Sequence, residues 1–172
     1  MAQEIERRFL LKHLPDLTWH ATIRIRQGYI GDNAYEVRLR ERAVSCGPVT
    51  CQLCRKEGTG LVREEHELDI TPAHFAMLWP LAAARSLKKV RQIHSTGDLL
   101  AWEFDLFESL TRDDGSPLAL LEVELPHPRY ELTLLPEVLP LIEAEITGLP
   151  EWLNSSLAKN GLPTAVPPPF TP

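Results

Sequence analysis

No apolar run in this 172-residue chain approaches the roughly 20 residues a membrane helix needs. The first residues, Met1-Ala2-Gln3-Glu4, lack the shape of a signal peptide. Cysteine is scarce: Cys46, Cys51 and Cys54 make no disulfide framework, so a reducing, cytoplasmic setting is expected. Positive charge is not in excess either. The formal net charge is -6, which leaves no basic footprint for nucleic acid. Neither nucleic acid nor a membrane is therefore expected as a partner. Gly58-Thr59-Gly60 is not followed by the Lys-Ser/Thr pair of a phosphate-binding loop. The histidines, His13, His20, His66, His74, His94 and His127, form no HExxH motif. Cys51 and Cys54 would face opposite sides of a strand, and no second Cys/His pair follows them at zinc-site spacing.

What the chain does have is short alternating segments. Residues 4–10, 21–30, 35–42, 49–56, 63–70, 88–94, 102–108 and 119–125 read as strands, most with period-2 alternation of apolar and charged residues. Gly31-Asp32-Asn33 and Asp113-Asp114-Gly115 are turn signals between them. Thr71-Pro72 reads as the cap and first residue of a helix carrying Phe75, Leu78 and Trp79 on one face. Further helices are expected at about 132–144, against Pro136 and Pro140, and at about 150–159, before Gly161. The fold class is α+β, mainly β: an eight-stranded antiparallel barrel or sandwich with flanking helices. One domain is expected over residues 1–160, with a frayed or polyproline-like, proline-rich tail over 161–172.

Alternation of charged and apolar residues is the ordinary mark of a solvated sheet face. Two features go beyond it. Nearly every strand carries the pattern, and several hold like charges at i, i+2, about 6.7 Å apart on one face. Glu4 and Glu6 share a face with Arg8. Arg24 pairs with Arg26, Arg38 with Arg40, Lys89 with Arg91, Glu103 with Asp105 and Glu122 with Glu124, while Arg63 lines up with Glu65 and Glu67. Like charges side by side repel. In a closed barrel with apolar sides outward, the bore would hold both cations and carboxylates. Arginine and lysine bind phosphate oxygens, and carboxylates bind Mg²⁺ or Mn²⁺, which bridge phosphates. Such a bore suits a substrate with several phosphates and one or two metals.

Taken in order, these motifs resemble the CYTH superfamily, or triphosphate tunnel metalloenzymes. Glu4-Ile5-Glu6-Arg7-Arg8 resembles its N-terminal ExExK signature, and Arg26-Gln27-Gly28-Tyr29 its second strand. Val37-Arg38-Leu39-Arg40 resembles its paired-arginine strand. Lys56, Arg63-Glu64-Glu65-His66-Glu67, Lys89-Val90-Arg91, Trp102-Glu103-Phe104-Asp105 and Leu121-Glu122-Val123-Glu124 continue the series. Glu145-Ile146-Thr147-Gly148 and Asn154-Ser155-Ser156-Leu157-Ala158 resemble the C-terminal signature. The match spans about residues 3 to 159 and is most similar to bacterial inorganic triphosphatases.

The resemblance implies a closed eight-stranded tunnel and metal-dependent hydrolysis of inorganic triphosphate. It implies Glu4, Glu6, Arg8 and Lys89 as catalytic residues, and Arg26, Arg38, Arg40, Lys56, Arg63 and Arg91 as substrate ligands. Glu4, Glu6, Glu122 and Glu124 would hold Mg²⁺ or Mn²⁺, with Glu65, Glu67, Glu103 and Asp105 as further tunnel acids. A homodimer is left open. An adenylate cyclase, a thiamine or nucleoside triphosphatase, and a polyphosphate-binding module with little turnover are the alternatives. Three departures bear on the choice. Arg8 stands where the signature has lysine, Arg55 replaces an apolar residue beside Lys56, and Glu151-Trp152 replaces an Arg-Tyr pair.

Overall fold

A computed structural model of the chain describes residues 2–31, 36–45, 47–57, 62–97, 100–165 and 167–171; at strand positions 2–4, 56–57 and 62–65 the backbone alone is described. Among these residues there are nine strands and two α-helices: β1 (Ala2–Leu11), β2 (Ala21–Ile30), β3 (Val37–Val44), β4 (Val49–Glu57), β5 (Val62–Ile70), α1 (Pro72–Ala82), β6 (Ser86–His94), β7 (Ala101–Thr111), β8 (Pro117–Glu124), β9 (Ile142–Glu145) and α2 (Asn154–Asn160). No helix among them is long and apolar enough to cross a membrane.

All the strands join one antiparallel sheet in the order β5-β4-β3-β2-β6-β7-β8-β1-β9. β1 is shared between neighbours. One edge runs along β8 from Glu6↔Glu124 to Leu11↔Ala119. The other edge pairs first with β5, from Ala2↔Glu65 to Ile5↔Val62, and then with β9, through Phe9↔Glu145 and Leu10↔Ala144.

Three features differ from the sequence reading. The helix expected at 132–144 is a 3-10 turn (Leu139–Leu141) followed by β9, so the sheet has nine strands, not eight. Pro136 and Pro140 remove backbone donors and break any helical ladder. Ile142-Glu143-Ala144-Glu145 keeps the period-2 pattern, with Ile142 and Ala144 buried. The helix expected at 150–159 is split into a 3-10 turn (Pro150–Trp152) and α2, because Leu153 between them is extended at φ -62 and ψ 143. Of the two readings of the proline-rich end, frayed or polyproline-like, the frayed one does not hold over residues 167–171. Pro167 is buried, the Phe170 amide donates to the Glu143 carbonyl at 2.8 Å, and the Phe170 ring meets Phe9 edge-on at 5.9 Å.

The apolar side of the sheet is covered in two ways. α1 lies over β2, β3 and β4, burying Phe75 and Ala82 against Leu39 and Cys51. Its Thr71 cap accepts from the His74 amide, as expected from the sequence. Over β1, β7 and β8, irregular chain replaces the expected helices: Leu14, Leu17, Trp19, Tyr130, Leu132, Leu134 and Phe170 pack on Phe9, Trp102, Phe104 and Leu121.

α1 ends very close to β2. A Cβ built at Gly28 would lie 2.8 Å from both the Cβ and the carbonyl oxygen of Ala82, closer than atoms can pack. The helix can seat on the strand because Gly28 has no side chain. Gly28→Ala is therefore expected to cost about 1–3 kcal/mol of stability through overpacking, measured by urea unfolding. Unchanged stability would show that α1 is free to shift.

Candidate active site

Directly opposed residues of an antiparallel pair project from the same face of a sheet. Followed around the strands, this rule collects the charged positions on one side. Arg8 of β1 opposes Glu122 of β8, which opposes Glu103 of β7. Asp105 opposes Arg91 of β6, which opposes Ile23 of β2. Gln27 and Tyr29 of β2 oppose Arg40 and Arg38 of β3, and Arg38 opposes Cys54 of β4, which opposes Glu67 of β5. Glu6 opposes Glu124. Glu4 is register partner to Arg63, and Lys56 to Glu65, but the side chains of these four lie outside the described residues.

The buried charges on this face form a network. Arg91 is its hub. Its Nε and Nη2 grip both oxygens of Asp105 at 2.8 and 2.7 Å, its Nη2 also donates to Glu122 at 2.5 Å, and its Nη1 donates to Glu103. The Lys89 ammonium donates to Asp105 and lies over the Phe107 ring. Arg8 donates through Nε to Glu122 at 3.1 Å. Arg38 pairs with the exposed Glu67 at 3.1 Å. Arg40 differs from the others. Its Nε donates to Gln27 at 3.1 Å, and among the described residues no carboxylate pairs with it. Gln27 in turn donates to the Tyr29 hydroxyl at 2.7 Å. Beyond the charges the same face becomes apolar, where Leu10, Leu87, Phe107 and Leu120 pack with Trp152 and Leu157.

These surroundings tune protonation. Burial, reinforced by the charge of Arg91, pulls the Lys89 pKa down to about 8, although Asp105 works against it. Burial and the neighbouring Arg38 and Arg91 lower Arg40 to about 10. Burial opposes the charge of Arg91 and Arg8, but Asp105, Glu122 and Glu103 hold Arg91 well above its ordinary value, and Glu122, Glu6 and Asp105 hold Arg8 above its own. Burial pushes Tyr29 up to about 12.

Of the residues proposed from the sequence, Arg8, Arg38, Arg40, Lys89, Arg91, Glu103, Asp105 and Glu122 are brought together on this face, with Glu6, Glu67 and Glu124 on the same face nearer solvent. Arg26 is not among them. It lies on the opposite face, stacked over Trp79 at 4.5 Å and Phe75 at 5.0 Å and paired with Glu41 at 3.1 Å. The phase of β2 is reversed relative to β3: its arginines lie on the other face, Arg26 against α1 and Arg24 exposed beside Glu108, and Ile23, Ile25, Gln27 and Tyr29 take the charged face. Gly28 shares the phase of Arg26 and marks where the helix approaches, a signal in the sequence that the outward face was this one. Gln27 was missed as a site residue because an amide between charged strands carries no motif. Cys51 and Cys54 are both buried, on opposite faces, and form no disulfide with each other. Arg55 and His66 are exposed partners on the outer side.

Comparison with known proteins gives the same picture. No family model matches the chain. An inorganic triphosphatase from Nitrosomonas europaea is 34% identical over 157 residues, covering 90% of this chain and 96% of that protein. A crystal structure of an inorganic triphosphatase superposes with a TM-score of 0.58 at 26% identity, over 98% of this chain and 99% of the other. A protein from Pyrococcus horikoshii shares the fold at 15% identity, with a TM-score of 0.50 over 73% of this chain and 80% of its own. Identity at this level over nearly the full length of both proteins, joined to the ordered motifs and the charged sheet face, shows that the chain belongs to the inorganic triphosphatase family of the CYTH superfamily.

Proposed function

We propose that this protein hydrolyses inorganic triphosphate, held on the charged face inside a closed tunnel. Arg40 carries the reading. A half-buried guanidinium with no carboxylate partner among the described residues, its pKa lowered by burial and by Arg38 and Arg91, is a ready seat for an anion. Arg38, two residues away, offers a second fork on the same wall. Such a pair suits a chain of phosphates better than one carboxylate. The named activity of the Nitrosomonas europaea relative supports the same substrate. The β1–β5 ladder supports closure of the first eight strands into a ring, with β9 outside it.

Roles follow from position. Arg38 and Arg40 bind phosphate oxygens, joined by Lys56 and Arg63 on the motif evidence. Arg91, saturated by three carboxylates, orients the acidic wall. Lys89 donates the proton. As water attacks the terminal phosphorus, the bond to the bridging oxygen breaks, the Lys89 ammonium protonates the departing oxygen, and phosphate and pyrophosphate result. Carboxylate oxygens suit a hard divalent cation such as Mg²⁺ or Mn²⁺, although the described residues alone bring no three such ligands together. Glu6 and Glu124, opposed in register, would hold it with Glu4, whereas both oxygens of Glu122 are engaged by Arg8 and Arg91. When bound, the ion supplies charge neutralisation and acidifies water.

Three outcomes test this reading. With Lys89 near 8, its protonated fraction falls as pH rises through that value, so kcat/KM should fall in the same window. Lys89→Met should remove that limb and lower kcat about 10²-fold or more; a flat profile from about pH 7 to about pH 9.5 rules Lys89 out as the donor. Arg40→Ala should raise KM for triphosphate about tenfold or more, the loss of one charge-assisted contact, while Arg26→Ala should leave KM nearly unchanged and lower thermal stability instead. Phosphate release should drop about 10²-fold on chelation and return with Mg²⁺ or Mn²⁺. Release that persists undiminished without metal defeats the metal mechanism.

A further inference from the structure

Arg8 stands where the family signature has a lysine, and its contacts are not those of a free cation. The guanidinium Nε donates to Glu122 Oε1 at 3.1 Å, and Nη1 donates to the Trp152 carbonyl at 2.9 Å. The backbone of the same residue is also held: its amide donates to Thr147 Oγ1 at 3.0 Å, and its carbonyl accepts from the Ile146 amide at 2.9 Å. Its side chain is only 4% exposed. The Trp152 carbonyl lies just outside the α2 hydrogen-bond ladder, which begins with Leu153 accepting from Leu157. A carbonyl buried at that junction needs a donor, and Arg8 provides it.

We propose that Arg8 is a positioning residue: a latch that ties Glu122 and the C-terminal turn (Pro150–Trp152) to β1, and not a ligand of the transferring phosphate. The inference rests on triphosphate hydrolysis as the reaction. The latch needs a fork. One edge of a guanidinium meets the carboxylate while a second nitrogen meets the carbonyl, an arrangement a single ammonium reproduces poorly. Glu122 is thus bracketed, with Arg8 on one oxygen and Arg91 on the other. Trp152 is held over the apolar end of the charged face, where it packs with Leu10, Leu87 and Phe107. Nη2 meets Glu122 at 3.0 Å as an ion pair without hydrogen-bond geometry. With the second N–H of Nη1, it has donors left for a phosphate, and the test turns on them.

The full-length protein and its Arg8→Lys and Arg8→Met variants would be compared in triphosphate hydrolysis with saturating Mg²⁺, and in amide hydrogen exchange. As a latch, Arg8 is not rescued by lysine. Both variants lose about tenfold to a hundredfold in kcat with KM within about twofold of wild type, and the amides of residues 152–157 exchange faster in both. A KM raised about tenfold or more in Arg8→Met and restored in Arg8→Lys, with exchange unchanged, overturns the proposal in favour of a phosphate ligand. Arg8→Lys that matches wild type in kcat, KM and exchange overturns it as well. If the variants do not fold, wild-type arginine Nε–H resonances decide. Inorganic triphosphate added with chelator should move those of Arg38 and Arg40 and leave Arg8 in place, and an equal shift at Arg8 refutes the latch. A wild-type protein that releases no phosphate fails the hydrolytic reading alone, since the exchange and resonance readouts still report on the latch.

Discussion

Like charges can be buried side by side only when counter-charge lies within hydrogen-bond reach, and Arg91 meets that condition for most of the charged face. Its guanidinium touches carboxylates from two strands, Glu103 and Asp105 of β7 and Glu122 of β8. Asp105 then reaches Lys89, and Glu122 reaches Arg8. Removing charges from water costs several kcal/mol per ion, and attraction offsets this only when hydrogen bonding is nearly complete. The β6–β8 wall satisfies that requirement internally. The β2–β3 wall does so less fully: Arg38 reaches Glu67, but among the described residues Arg40 meets the neutral Gln27 and no carboxylate. Among the described residues the site therefore has an acidic wall whose charges are met internally and a facing wall where Arg40 is balanced by no carboxylate, which is where the proposed polyanion would find counter-charge.

Within the acidic wall itself the pKa shifts diverge. Arg91 and Arg8, ringed by carboxylates, are held protonated despite burial. Lys89, equally buried but beside another cation, is brought to about 8. Groups whose environments push their proton affinities apart divide the labour of acid chemistry and charge stabilisation. Here the division arises from which neighbour lies opposite in register, so the ladder positions set the chemistry.

Much of this was legible in the sequence because strand period and charge agree. Arg38/Arg40, Lys89/Arg91 and Glu103/Asp105 each name one face by themselves. The limits of that reading were physical. Arg24 and Arg26 show the same spacing but lie on the opposite face, Arg24 exposed beside Glu108 and Arg26 over Phe75 and Trp79, where a guanidinium is as comfortable as on phosphate. The phase could be fixed only by Gly28, whose missing side chain makes sense once a helix is packed above it. β9 was hidden by length, as four residues between prolines give too short a pattern to outweigh a helical guess. The hold of Arg8 on Trp152 joins residues 144 positions apart, beyond any local rule.

The docking of residues 167–171 bears on the edge of the sheet. β9 closes the sheet order on one side, and its outward backbone groups are the kind that recruit strands from other molecules. Phe170 covers part of that rim, its amide on the Glu143 carbonyl and its ring on Phe9. The prolines beside it have no amide hydrogen to offer a further strand. The segment over residues 167–171 thus sits like a selvedge along β9, occupying a backbone acceptor that a strand from another molecule would otherwise need.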